Sequence, residues 1–157
     1  MRITARPIIA VITALALASC TPEAPVGPVA DITDVTFAAS LGINLSNMTK
    51  TASGLYYQDA PAGTGIAAVS GIHLTVHYTG NLINGSTFDT SIGKTPFGFT
   101  LGSGSVIKGW DEGLVGMKVG GTRKLVIPPD LAYGNIANGA IPASSILVFT
   151  VQLISIP

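Results

Sequence analysis

The chain has 157 residues, enough for one domain, and a formal net charge of zero. Only 10% of its residues are charged, far below the usual share of about a quarter, and eight Lys and Arg spread along the chain build no basic patch. Nucleic acid is therefore excluded as an expected partner, and a single cysteine, Cys20, excludes an intramolecular disulfide. The two histidines, His73 and His77, lie four apart on a strand-like run. At about 3.3 Å per residue they stand roughly 13 Å apart, too far to share a metal ion, so both are expected to face solvent.

Residues 1–19 read as an export signal. Arg2 and Arg6 give a positive start, and Ile8 to Ala18 is an apolar and small-residue run broken by one Thr. It is too short for a permanent helix across a bilayer core of about 30 Å, which needs about 20 residues. The run ends Leu17-Ala18-Ser19-Cys20, which resembles the lipobox of bacterial lipoproteins. That resemblance implies cleavage before Cys20 and lipidation of its thiol; ordinary secretion, with cleavage after Ala18, is the alternative. Each buried acyl CH₂ contributes about 0.8 kcal/mol, so several chains make a stable anchor where one does not. Thr21 is not the Asp associated with inner-membrane retention. In a two-membrane bacterium the resemblance implies the outer membrane, facing the periplasm. Without Arg2 and Arg6, six basic residues remain against eight acidic, a net charge of −2.

Residues 20–50 are predicted to form a tether. Pro22, Pro25 and Pro28 favour extended chain, and Phe37, Leu41 and Leu45 suggest at most one short helical turn, weakened by Gly42. The folded domain is placed at 51–157. Leu55 to Asp59 is a short strand. Ile72 to Thr79 alternates, with Ile72, Leu74, Val76 and Tyr78 on one face. Asn84-Gly85 signals a hairpin before Ser86 to Asp89. Phe97 to Leu101, Thr122 to Ile127 and Ile146 to Ser155 follow as strands. Between them, Trp110, Leu114 and Met117 form one apolar helical stripe, with Gly116 and Gly120 near its end. The expected fold class is α+β: a twisted antiparallel sheet of about five to six strands wrapped around one short amphipathic helix. No dimerisation element is evident, so a monomer is expected.

Seven of the ten aromatics fall around this helix: Tyr78, Phe88, Phe97, Phe99, Trp110, Tyr133 and Phe149. With Asp89 and the Tyr133 phenol among them, they suit an apolar site with a few placed polar groups. Read alone, Tyr78, Phe97, Phe149 and Trp110 fit a plain core better than a site, Asp89 fits a turn cap equally well, and Tyr133 fits a loop anchor.

In order, SGLYY (53–57), GTG (63–65), VHYTG (76–80), NGSTFDTS (84–91), PFGFTLG (96–102), VIKGWDEGL (106–114), GMKVGGTRKLVIPPDLAYG (116–134) and ILVFTVQLI (146–154) resemble the FKBP family of peptidyl-prolyl cis–trans isomerases. The resemblance spans about residues 51–157. It implies a pocket between helix and sheet lined by Tyr78, Phe88, Phe97, Phe99, Val106, Ile141 and Phe149. Trp110 would form its floor and Asp89 a buried polar wall group. The Ile107 N–H and the Tyr133 hydroxyl would hold substrate carbonyls. It further implies proline-containing polypeptides as substrates and macrolide immunosuppressants as inhibitors. The loop 135–145 departs from the common pattern, about one residue short, with Ala140 before Ile141-Pro142 and Ala143 where a second proline is usual.

Turning an X–Pro bond requires breaking amide resonance, against a barrier of ~18–20 kcal/mol. No bond to the enzyme is made, so no nucleophile, metal or cofactor is needed, and the chain's lack of a Ser/His/Asp or Cys/His arrangement fits. An apolar pocket disfavours the polar planar amide relative to the twisted one. The alternative function is a non-catalytic lipoprotein that holds proline segments in the same pocket.

Overall fold

Alternating apolar residues build the two long central strands. The structure, a computed structural model, describes residues 31–157. The export signal, Cys20 and the proline-rich stretch of 20–30 lie outside the described residues. The strands are β1 (Thr49–Lys50), β2 (Tyr56–Asp59), β3 (His73–Leu82), β4 (Thr87–Thr90), β5 (Phe97–Thr100), β6 (Thr122–Ile127) and β7 (Leu147–Ser155), with helix α1 (Lys108–Gly113) between β5 and β6. They form one antiparallel seven-stranded sheet in the order β1-β2-β6-β7-β3-β4, with β5 also pairing with β3. The strand beyond the expected six is β1, two residues long and exposed, too short to show any alternation. The β3–β4 hairpin turns at Asn84-Gly85, where Gly85 has φ +89° and the Asn84 side chain accepts from Ser86 N at 2.9 Å.

One face of the sheet wraps α1. Leu125 and Ile127 of β6, and Leu147, Phe149, Val151 and Leu153 of β7, pack there with Leu55, Leu74, Val76, Trp110, Leu114 and Met117. The apolar stripe is as expected, but the helix is shorter than it. α1 ends at Gly113, Leu114 is its C-cap, and the chain turns at Gly116 with φ +77° before Met117 comes back into the core. The C-terminal end is held by Arg123, whose Nη1 donates to the Gly113 and Val115 carbonyls at 2.9 and 3.0 Å. Its guanidinium is itself held by a two-pronged ion pair to Asp59, at 2.6 and 2.9 Å.

The opposite face carries a second core, and it corrects the tether. Strand alternation puts Tyr56, Val126 and Val148 on this face, and they are buried by the chain from Ile32 to Met48. That segment folds as three single 3₁₀ turns, Ile32–Asp34, Ala39–Leu41 and Leu45–Asn47. Ile32 and Leu41 are buried, Lys124 Nζ donates to the Leu41 carbonyl at 2.6 Å, and Ala38 N donates to Ile83 O at 2.8 Å. The helical spacing of Phe37, Leu41 and Leu45 is overridden because Gly42 adopts φ +58° and Asn44 caps a new turn. Residues 31–50 are thus part of the folded unit rather than a tether, and the domain begins ahead of residue 51.

Removing a buried leucine costs about 2–5 kcal/mol, the lower end where the site lies near the surface. Leu41→Ala is expected to lower unfolding stability by about 2 kcal/mol in a urea titration. A loss below about 0.5 kcal/mol, typical of surface positions, would contradict docking of this segment.

Candidate functional site

A cavity of about 210 Å³ opens between α1 and the wrapped face of the sheet. Seven segments contribute to it. β3 supplies Tyr78, β4 supplies Phe88 and Asp89, and β5 supplies Phe97. The loop into α1 supplies Ser105, Val106 and Ile107, and Trp110, Tyr133 and Phe149 complete the lining. Trp110 is its 4%-exposed base. The rings of Tyr78 and Phe149 meet the indole edge-to-face, at centroid distances of 5.2 and 5.3 Å. Phe97 stands 6.2 Å from it, and Phe88 meets Phe149 at 5.6 Å. The indole Nε1 is buried and has no hydrogen-bond partner among the described residues.

Most residues expected at the site converge here, and three differ in place or burial. Phe99 lies beneath the wall, buried, stacked on Phe97 at 5.6 Å and 5.5 Å from Trp110, so it supports the cavity rather than lining it. Ile141 is buried in a recess of about 250 Å³ that shares Phe88, Asp89 and Tyr133 with the cavity. Asp89, expected to be buried, is exposed, because β4 is an edge strand and the cavity is open to water above it. His77, expected to face solvent, is half-buried with its Nδ1 3.0 Å from the Ser91 hydroxyl, while His73 is exposed. Ser105 lines the cavity without having been singled out. It lies in a Gly-Ser run whose composition signals only a loop, and its hydroxyl lies 2.9 Å from Ser103 Oγ.

Two donors at the cavity have no protein partner among the described residues, the Ile107 N–H and the Tyr133 hydroxyl. Ile107 has extended backbone as the N-cap of α1, so its N–H precedes the helical ladder. The loop that carries it is held by Asp111, which accepts from Gly102 N at 2.7 Å and Gly104 N at 2.9 Å. Sequence reading passed over Asp111; an acidic residue in the first turn of a helix was the available signal.

Asp89 is the polar fixture of the wall. Its Oδ2 accepts from the Tyr78 hydroxyl at 2.5 Å and its Oδ1 from Thr90 N at 2.8 Å. Burial of the Tyr78 ring, followed by the hydrogen bond and the charge of Asp89, pushes this phenol from its ordinary 10.0 up to about 12. The raised acid favours the fold fully below pH 10, and that contribution is lost as pH rises toward about 12. A spectroscopic titration of tyrosinate should therefore show one of the four tyrosines ionising late, and Tyr78→Phe should remove that late phase.

Comparison with known proteins agrees with this geometry. The family profile described as FKBP-type peptidyl-prolyl cis-trans isomerase matches residues 65–154. An FK506-binding protein of Neisseria meningitidis serogroup B is 50% identical over 105 residues, covering 66% of this chain and 96% of that protein. FK506-binding protein 4 of Mycosarcoma maydis is 49% identical over 108 residues, covering 69% of this chain, which spans only 29% of that longer relative. The crystal structure of a peptidyl-prolyl cis-trans isomerase from Pseudomonas syringae pv. tomato superposes with a TM-score of 0.64 at 35% identity, over 70% of this chain and 80% of that one. With the wrapped sheet and these relatives in agreement, the chain belongs to the FKBP-type peptidyl-prolyl cis-trans isomerase family.

Proposed function

We propose that this protein catalyses cis–trans isomerisation of X–Pro bonds in exported polypeptides, from a lipid anchor at Cys20 in a bacterial envelope. The observation that carries the catalytic part is the aromatic cavity over Trp110 bordered by two donors without protein partners, at Ile107 and Tyr133. The prolyl ring enters the cavity and sits on the indole. The Ile107 N–H and the Tyr133 hydroxyl each take a carbonyl flanking the turning bond, holding the ends while the amide rotates. Tyr78, Phe88, Phe97, Val106 and Phe149 keep water from the amide, so its polar planar form loses solvation that the twisted form needs less. Asp89 fixes the Tyr78 ring against the floor and presents a carboxylate at the rim. Phe99 and Ile141 hold the walls from behind. No step makes or breaks a covalent bond, and no cofactor takes part.

An FK506-type macrolide competes for the same cavity in this reading. The anchor places the enzyme at the membrane as a monomer, on the outer membrane facing the periplasm where the organism has two membranes.

Turnover of a short prolyl peptide by the full chain tests the activity. Tyr133→Phe deletes one hydrogen bond worth about 1 kcal/mol and should lower kcat/KM about fivefold; Asp89→Ala should do at least as much, with circular dichroism unchanged in both. A folded protein without acceleration over background would refute the catalytic reading. For the anchor, Cys20→Ala should move the protein from the membrane to the soluble fraction of a bacterial lysate. A variant that stays membrane-bound would rule out lipidation at Cys20 as the attachment.

A further inference from the structure

One edge of the sheet runs beside the aromatic cavity. β5 pairs with β3 alone, and among the described residues no strand lies beyond it. The Leu101 N–H donates to Ile72 O at 2.9 Å, toward β3. Backbone groups alternate in direction along an antiparallel strand. Those of Phe97 and Phe99 therefore point to β3, and those of Gly98 and Thr100 point outward. The Thr100 carbonyl is occupied by the Ser103 hydroxyl at 2.7 Å. The Gly98 N–H and C=O and the Thr100 N–H are left facing outward. Exposed edges are commonly guarded by a lysine, a proline or a bulge; β5 reads Phe-Gly-Phe-Thr and carries none of these within its four residues, Pro96 standing just before it.

An open recess of about 400 Å³ lies along this edge, lined by His73, Gly98, Thr100 and Ser103 among others. It shares Phe97 and Ser105 with the cavity over Trp110, so the two adjoin at these side chains. A methyl group at residue 98 would meet only the Nε2 tip of the exposed His73 side chain, at 2.9 Å. Glycine inside a strand is common where a second backbone comes close.

We propose that β5 is a docking edge for the substrate itself. The polypeptide stretch flanking the proline adds as an extended strand beside Gly98 while the prolyl ring occupies the cavity. This rests on the isomerase reading given above. Their adjacency at Phe97 and Ser105 identifies the occupant, because a chain leaving the cavity on that side passes along the edge. Main-chain pairing supplies affinity without reading sequence, which suits an enzyme with many clients. Alternate side chains of the added strand rest on the Phe97 ring, which is 39% exposed.

The test compares turnover by the full chain of a short prolyl peptide with that of peptides extended by four residues, the length of β5, before or after the proline. Extension on one of the two sides should raise kcat/KM about tenfold through KM, the effect of two main-chain hydrogen bonds. N-methylation of alternate amides within that extension should abolish the gain, and the same modification shifted by one residue should spare it. Hydrogen exchange at Gly98 should slow on binding the extended peptide and not the short one. Equal kcat/KM for short and extended peptides, or a gain lost wherever the methyl is placed, would overturn the docking edge and leave the isomerase reading standing. Absence of turnover with every peptide would overturn both.

Discussion

The site depends on how closely α1 approaches β6. A methyl group at residue 109 would lie 2.5 Å from Ile127 Cγ2, and one at residue 113 would lie 2.8 Å from Leu125 Cδ2. Both distances are below contact, so the two glycines let the helix rest on the strand at a depth that no side chain permits. Trp110 projects from the turn between them and is thereby set against the sheet, with Tyr78, Phe99 and Phe149 within 5.5 Å of it. A third bare position works on the opposite wall. A methyl at residue 80 would strike the Phe88 ring at 2.6 Å and the Phe149 ring at 2.8 Å, so Gly80 makes the room in which those rings meet.

A helix of six residues does not hold itself together, since nucleation of an isolated helix costs more than its few hydrogen bonds return. Polar ties supply what length does not. Asp111 binds the loop before the helix, Glu112 accepts from the Ser53 hydroxyl at 2.6 Å, and Arg123 takes the carbonyls at its end. The apolar contacts decide how deep Trp110 sits; the polar ones decide which way the helix and the Ile107 N–H face. Arg123 connects this to the sheet through Asp59 and through the Tyr57 ring, 4.7 Å from its guanidinium carbon. Arg123 is buried while Asp59 is not, so loss of Asp59 would leave a buried guanidinium charge without its partner.

Legibility of the sequence followed the strength of each local pattern. β3 and β7 were readable because their apolar residues recur at every second position over most of a long strand. The aromatic site was readable because its rings cluster in short motifs around one tryptophan. The docked segment was not, because its one regular spacing, Phe37, Leu41 and Leu45, signals a helical turn that Gly42 and Asn44 break; its order comes from the back of the sheet. The signal lay elsewhere, in Val126 and Val148, apolar residues on the face that an exposed sheet would leave polar. The exposure of Asp89 was likewise invisible, since sequence gives residue type and not whether a wall is roofed. Ser105 and Asp111 escaped because a serine in a glycine-rich loop and an acid in a helical first turn are both ordinary.

A hollow lined by apolar rings is costly to keep open, because side chains that can relax into a void regain the dispersion contacts it forfeits. Here the rings are restrained from outside the cavity. Tyr78 is tied at its hydroxyl by Asp89 and along its backbone by Ser91, whose Oγ accepts from Tyr78 N at 2.9 Å. Phe149 belongs to β7, a central strand paired on both sides, by β3 and by β6. Trp110 is fixed by the depth of its helix. None of the three can move inward without breaking a contact that lies behind it. In the isomerase reading proposed above, the environment that favours a twisted amide then needs no rebuilding at the moment the bond turns. The rigidity of the rings that this reading relies on is supplied by the polar residues and the glycines around them.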